Sequence, residues 1–249
     1  MPTPNNNRLR RVPAVERLIL SGVLCVLLGW ASSVALGGRG DHLSAQAVAP
    51  ARPPSPDTVD LAGIGYEDGP ISAPVKVAEF SDFACGFCKQ FHETVFPDIV
   101  KKYVASGQIQ WRYVPIVLGM NREGTASMFS HAVEGARAGY CAGDQDKFNE
   151  MRDHLFAHQA EWTEADNPGP ILARYADELE LDSAAFSACY EDPLTMQRIV
   201  KATQAAEALN VRGTPSFWVV GLGPLQGVQP MTTWDTIVER LGGGAGQRP

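Results

Sequence analysis

Val75-Lys76-Val77-Ala78-Glu79-Phe80, then Ser81-Asp82-Phe83-Ala84, then Cys85-Gly86-Phe87-Cys88-Lys89-Gln90-Phe91-His92 is the stretch on which the fold turns. Its first six residues are rich in β-formers and alternate loosely, which reads as a strand. The next four read as a loop. From Cys85 a helical pattern runs to about Val104, with Phe91, Val95, Ile99 and Tyr103 on one face. Pro97 interrupts that pattern and predicts a kink. Residues 108–118 read as a second strand. Strand, helix and strand in this order form a βαβ unit, which implies a parallel pair.

The pair Cys85 and Cys88 lies where the loop feeds the first turn of the helix. Free backbone N–H groups and the positive end of the helix dipole favour a thiolate there. A depressed pKa makes Cys85 a nucleophile at neutral pH and a good leaving group from a mixed disulfide. The spacing lets Cys88 reach back and close the ring. Cys85 is therefore expected to be the exposed, attacking thiol and Cys88 the buried, resolving one. Two other readings compete: half of a zinc site, or an inert disulfide. Cys141 and Cys189 are lone cysteines that supply no second ligand pair. An inert bridge over so short a loop would be strained.

Downstream the pattern changes. Residues 125–141, 145–158, 170–179, 183–190 and 195–209 read as helices, with Asp182 and Ser183 as cap residues. Residues 216–220 read as a short strand, and 222–230 as a turn with an edge strand. Thr232 or Thr233 is the expected cap of a last helix, which the glycines at 242–244 end. The architecture expected is α/β. A βαβ half and a ββα half surround a central mixed sheet, with an all-helical insertion at about 123–209. No stretch shows metal-ligand spacing or a phosphate loop, so no metal, nucleotide or other cofactor is expected.

The N-terminus carries an address. Arg8, Arg10, Arg11 and Arg17 outnumber Glu16 and precede an uncharged apolar run over residues 18–36. That run has the length of one membrane-spanning helix, and the arginines place its start in the cytoplasm. Residues 1–36 are thus read as a cytoplasmic stub with a signal-anchor. A cleaved signal peptide is the alternative, with small residues at Ser33 and Ala35 or at Ala45 and Ala47. Cys25 lies inside the run and reads as a spectator. Residues 37–60, with Pro50, Pro53, Pro54 and Pro56, read as a tether. The folded body is expected over 61–241, with a flexible tail at 242–249. Net charge is −7 despite the basic start, and an acidic body argues against a nucleic-acid binder. Outside the cytoplasm two leftover cysteines in one small domain should pair, which predicts a structural Cys141–Cys189 disulfide.

The segment from Glu79 to His92 resembles the active-site segment of DsbA-like proteins of thioredoxin fold. Val211-Arg212-Gly213-Thr214-Pro215-Ser216-Phe217 resembles their second motif, in which the proline is cis. The resemblance covers roughly 61–241. It implies that Pro215 presents the Thr214 backbone beside Cys85, where an extended substrate strand could pair with it. It also implies that Glu79 is a buried acid beneath the cysteines, able to take or give the Cys88 proton. His92 reads as a polar residue on the exposed helix face, with tuning of the thiolate as the alternative. Gly86 and Phe87 replace the Pro and His of the most oxidising members and bring no side-chain donor to the Cys85 sulfur, which points to a milder oxidant.

The function implied is an extracytoplasmic dithiol oxidase that introduces disulfides into exported proteins. It would sit in a bacterial cell envelope, anchored or secreted, and be reoxidised by a membrane partner of DsbB or vitamin K epoxide reductase type. A reductase or isomerase on the same scaffold, and a non-catalytic peptide-binding module, are the alternatives.

Overall fold

A computed structural model describes residues 61–121 and 127–243. The N-terminal address, the tether and Cys25 lie outside the described residues. Among the described residues no helix is long and apolar enough to cross a membrane.

Five strands form one mixed sheet: β1 (Tyr66–Asp68), β2 (Val75–Ser81), β3 (Ile109–Pro115), β4 (Ser216–Val219) and β5 (Gly223–Gln226). Their order is β1-β3-β2-β4-β5. β2 and β3 run parallel, with Glu79 beside Tyr113, and the other pairs are antiparallel. The strand at 75–80 and the parallel pairing are as the sequence predicts. β1 is an addition. It is too short to show a period, and Gly69 follows it at φ +83, where a Cβ would strike the Ile109 carbonyl oxygen.

β2 alternates only loosely because both its faces are covered. One face carries Val77, Phe91, Ile99, Trp111, Phe217 and Trp234 in a single cluster. That cluster packs under α1 (Gly86–Thr94), α2 (Phe96–Ile99) and the last helix, α9 (Met231–Gly242). The other face carries Ala78, Phe80 and Val114, packed against Ala202 and Ala206. The long helix after Cys85 breaks at Val95 (φ −124, ψ −46), just ahead of Pro97. The proline ring would collide with the carbonyl of the preceding turn in a continuous helix. A π-helical turn over Val100–Val104 then leads to β3.

The insertion is helical: α3 (Ala132–Gly143), α4 (Phe148–Ala157), α5 (Gln159–Thr163), α6 (Gly169–Glu178), α7 (Ser183–Glu191) and α8 (Pro193–Ala208). Asp182 caps α7, accepting a bond from the Ala185 N–H at 2.8 Å, and Asp192 caps α8. α3 begins at Ala132, later than expected, because His131 turns the chain through a left-handed conformation at φ 57. The expected helix at 145–158 ends at a bend in His158, and α5 follows. α9 starts at Met231 with Pro230 as its cap, so Thr232 and Thr233 lie inside its first turn.

Cys141 of α3 and Cys189 of α7 are joined by a disulfide, with Cα atoms 5.6 Å apart and a sequence separation of 48. In the chain-entropy account a loop of that length is worth about 4 kcal/mol. Gly139 of α3 lets the Phe83 ring come close, since a Cβ there would stand 2.7 Å from its Cε2. Phe83, Cys85 and Cys88 share one cluster with Tyr113, Leu155, Trp162 and Tyr175. The cysteine pair therefore lies where the sheet half meets the insertion.

Candidate active site

Cys85 is the N-cap residue of α1, with extended backbone (φ −80, ψ 121). Its own N–H bonds back to the Asp82 carbonyl at 3.0 Å. That turn aims the first free N–H groups of the helix at the sulfur. Cys85 and Cys88 are both free thiols, so the structure holds the dithiol form. The Cys85 sulfur lies 3.4 Å from the backbone carbonyl oxygen of Thr214. The Thr214–Pro215 peptide is cis. Sequence positions far apart in the chain are thus brought to one sulfur atom.

The Cys85 thiol is held down to about pKa 6. The largest cause is the Cys88 S–H, which donates to the Cys85 sulfur. The backbone N–H groups of Cys88 and Phe87 add to it, against burial. Cys88 goes the other way. Burial first, and the neighbouring Cys85 second, push it well above the ordinary thiol value. The two thiols therefore divide the work: one ionises near neutral pH and the other keeps its proton.

The expectation of an exposed Cys85 is corrected. The residue is only 3% exposed. It forms part of the wall of a groove of about 580 Å³, together with Phe87, Leu118, Met128, Phe129 and Thr214. Phe87 and Met128 stand out from this groove, 65% and 62% exposed. Gly86 has open space where a Cβ would be. Among the described residues no group of three or more His, Cys, Asp or Glu side chains is placed to hold a metal ion.

Glu79 is fully buried, and both its oxygens are occupied. Oε1 is 2.8 Å from His92 Nε2, and Oε2 accepts a bond from Trp111 Nε1 at 2.9 Å. His92 is thus turned inward, not outward as the sequence reading favoured. Burial lowers its pKa, with the Glu79 carboxylate opposing. The Ser81 side chain and the Asp82 backbone pull the Cys88 value down against its burial.

Three functional neighbours escape sequence reasoning. Asp82 is fully buried, and its carboxylate accepts bonds from Ala84 N at 2.9 Å and Leu118 N at 2.8 Å. It ties the loop before Cys85 to the wall of the groove. Burial pushes its pKa up to about 7, although these two N–H groups pull it down. Gln159 of α5 donates to the carbonyl oxygens of Phe83 and Cys85 at 2.6 and 3.1 Å. Tyr113 is buried beside Glu79, and burial raises its pKa with Glu79 and Cys88 as the next causes. Asp82 could have been suspected, since an Asp just after a buried strand commonly binds nearby backbone. Nothing local marks Gln159.

Alkylation of the reduced protein tests the sulfur directly. The thiolate is the reacting form, so the rate at Cys85 should level off above about pH 6 and fall tenfold per unit below it. A midpoint near 9 in the parent protein would contradict the geometry.

The family model described as thioredoxin matches residues 67–229. Na(+)/H(+) antiporter NhaA 3 of Salinispora tropica is 35% identical over 153 residues, covering 61% of this chain and 21% of the antiporter. The chain thus spans about a fifth of that relative's length. A probable disulfide bond formation protein D of Bacillus anthracis is 28% identical over 158 residues, covering 61% of this chain and 68% of that protein. The crystal structure of Wolbachia pipientis alpha-DsbA1 superposes with a TM-score of 0.62 at 21% identity, over 73% of this chain and 92% of that one. With the cysteine pair at a helix start, the cis peptide beside it and helices inserted in a mixed sheet as in the DsbA structure, the chain belongs to the thioredoxin family.

Proposed function

We propose that this protein is an extracytoplasmic thiol–disulfide oxidoreductase that works as a dithiol oxidase on exported proteins. The observation that carries the reading is the Cys85 sulfur at the start of α1, 3.4 Å from the Thr214 carbonyl oxygen, with its pKa held down to about 6. Stabilising that thiolate stabilises the reduced pair, which makes the disulfide form a better oxidant. In the oxidised protein a substrate thiolate attacks Cys85 Sγ. The Cys85–Cys88 bond breaks, and Cys88 leaves and takes a proton. A second substrate thiolate then attacks the substrate sulfur of the mixed disulfide, and Cys85 leaves as the thiolate. The substrate gains a disulfide and the enzyme holds the two electrons.

The groove suits an extended, partly apolar chain. Phe87 and Met128 offer exposed apolar surface, and Thr214 offers backbone to pair with. Glu79 is the acid that serves the Cys88 proton, and Cys141–Cys189 staples the insertion. The electrons would pass on to a membrane partner of DsbB or vitamin K epoxide reductase type. An N-terminal anchor over residues 18–36 would keep the domain near that partner, and a cleaved signal would release it. The relatives named for disulfide bond formation support this direction.

Redox titration against glutathione, run with oxidative refolding of a reduced substrate and with insulin reduction, tests the assignment. An oxidase promotes refolding and reduces insulin poorly. The opposite ranking would make the protein a reductase. Gly86 and Phe87 supply no side-chain donor to the sulfur, so the potential should lie below that of the strongest oxidants of the family.

A further inference from the structure

β2 and β3 end together, at Ser81 and Pro115, and the chain beyond both strands lines the groove. One further backbone rung follows, from the Ile116 N–H to the Ser81 carbonyl oxygen at 2.9 Å. In a parallel ladder the next rung would join the Leu118 N–H to the Phe83 carbonyl. That carbonyl is bound by Gln159, and the Asp82 carbonyl by the Cys85 N–H. The Asp82 carboxylate stands in for the missing rung. Its Oδ2 accepts the Leu118 N–H at 2.8 Å, and its Oδ1 accepts the Ala84 N–H at 2.9 Å. From Leu118 the line continues, since its carbonyl oxygen accepts the Met128 N–H at 2.8 Å. Gly119, at φ +67, lets Met128 come close, because a Cβ there would stand 3.3 Å from that of Met128. Leu118 and Met128 are both apolar walls of the groove. Both therefore hang from one fully buried carboxylate, three residues before Cys85.

We propose that Asp82 is a positioning residue for substrate, holding the Leu118 and Met128 wall of the groove against the Cys85 loop and so selecting polypeptide thiols over small ones. The inference deepens the exchange reading above and rests on it. A small thiol needs only the Cys85 sulfur. A polypeptide thiol must also seat its flanking residues along the walls, and a wall that shifts loses it contact. An ionised carboxylate suits the task because it only accepts, and so serves two N–H donors at once. Once protonated it turns a donor toward one of them. Burial holds the Asp82 pKa up at about 7, with the Cys85 thiolate adding to burial and the two N–H groups opposing it. Around it, the Asp82 backbone acts on Cys88 of α1. The Tyr140 hydroxyl of α3 donates to the Pro115 carbonyl, and Thr203 of α8 accepts the Val117 N–H.

The test compares two reductants of the Cys85–Cys88 disulfide in the full chain: dithiothreitol, and a reduced two-cysteine peptide with Phe and Leu beside its cysteines. The ratio of their second-order rates cancels whatever a variant does to the sulfur itself. Asp82→Ser keeps an acceptor for the Ala84 N–H, as in a serine turn, but is too short to reach Leu118. Its peptide-to-dithiothreitol ratio should fall about tenfold, with the loss in KM rather than in kcat. A ratio within about twofold of the parent's overturns the proposal. So does an equal loss with both thiols, which would place the effect at the sulfur. The parent protein gives a second reading that needs no variant. In its dithiol form the Leu118 amide should gain about tenfold protection from hydrogen exchange between about pH 6 and 8, beyond the intrinsic effect of pH, as Asp82 ionises. No gain overturns the proposal as well. A parent protein that reacts with neither thiol would strike the exchange reading, and this inference with it.

Discussion

Cys85→Ser should lose disulfide exchange altogether, with the rate of oxidative refolding falling by more than about a thousandfold. Serine cannot form a disulfide, and its hydroxyl does not ionise near pH 7, so no weaker version of the same step remains. Cys88 cannot stand in. It is fully buried, and its proton is held well above the ordinary thiol range. The converse variant separates the roles. Cys88→Ser leaves Cys85 able to attack but removes the resolving thiol, so mixed disulfides with substrate should accumulate and be recovered by mass spectrometry under non-reducing conditions. Retention of activity by Cys85→Ser would remove the catalytic assignment and favour a peptide-binding role. Trapping at Cys85→Ser rather than at Cys88→Ser would exchange the two parts.

The cysteine pair and the strand ahead of it were legible because their signals are local. A β-rich run, a short loop and two cysteines at the start of an amphipathic helix specify one another within fourteen or so residues. The motif around Pro215 was legible through resemblance. His92 was misjudged, yet its spacing held the answer. Cys88, Phe91 and His92 stand at i, i+3 and i+4, which places them on one helix face. All three are buried. The histidine is tolerated there because Glu79, on the strand beneath, gives it a partner. Gln159 was illegible for a different reason. Its partners, the carbonyls of Phe83 and Cys85, are backbone groups brought near by the packing of the insertion. No side-chain pattern encodes a bond to backbone that arrives from another part of the chain.

The largest effect on stability should come from Trp111. This residue is 1% exposed in the middle of β3. Its ring meets Phe96 and Trp234 at 5.2 Å, Phe217 at 5.7 Å and Phe91 at 6.0 Å. Trp111→Ala opens a large hole among four other aromatic groups, none of which can shift far without leaving its own contacts. Such truncations cost about 3–5 kcal/mol. The indole N–H is also one of two donors that hold the buried Glu79, at 2.9 Å from Oε2. Losing it leaves a carboxylate oxygen unpaired in the core, which adds about 1–3 kcal/mol. The sum is comparable to the whole stability of an ordinary domain, about 5–15 kcal/mol. Trp111→Phe separates the two parts. It keeps most of the packing and removes only the donor, so its midpoint in denaturant should fall by much less. Combined with Glu79→Leu, the phenylalanine substitution should cost less than it does alone, since no carboxylate remains to be left unpaired. If Trp111→Phe proves as damaging as Trp111→Ala, the bond to Glu79 outweighs the packing. If its cost is unchanged in the Glu79→Leu background, that bond contributes nothing to holding the sheet beneath the cysteines.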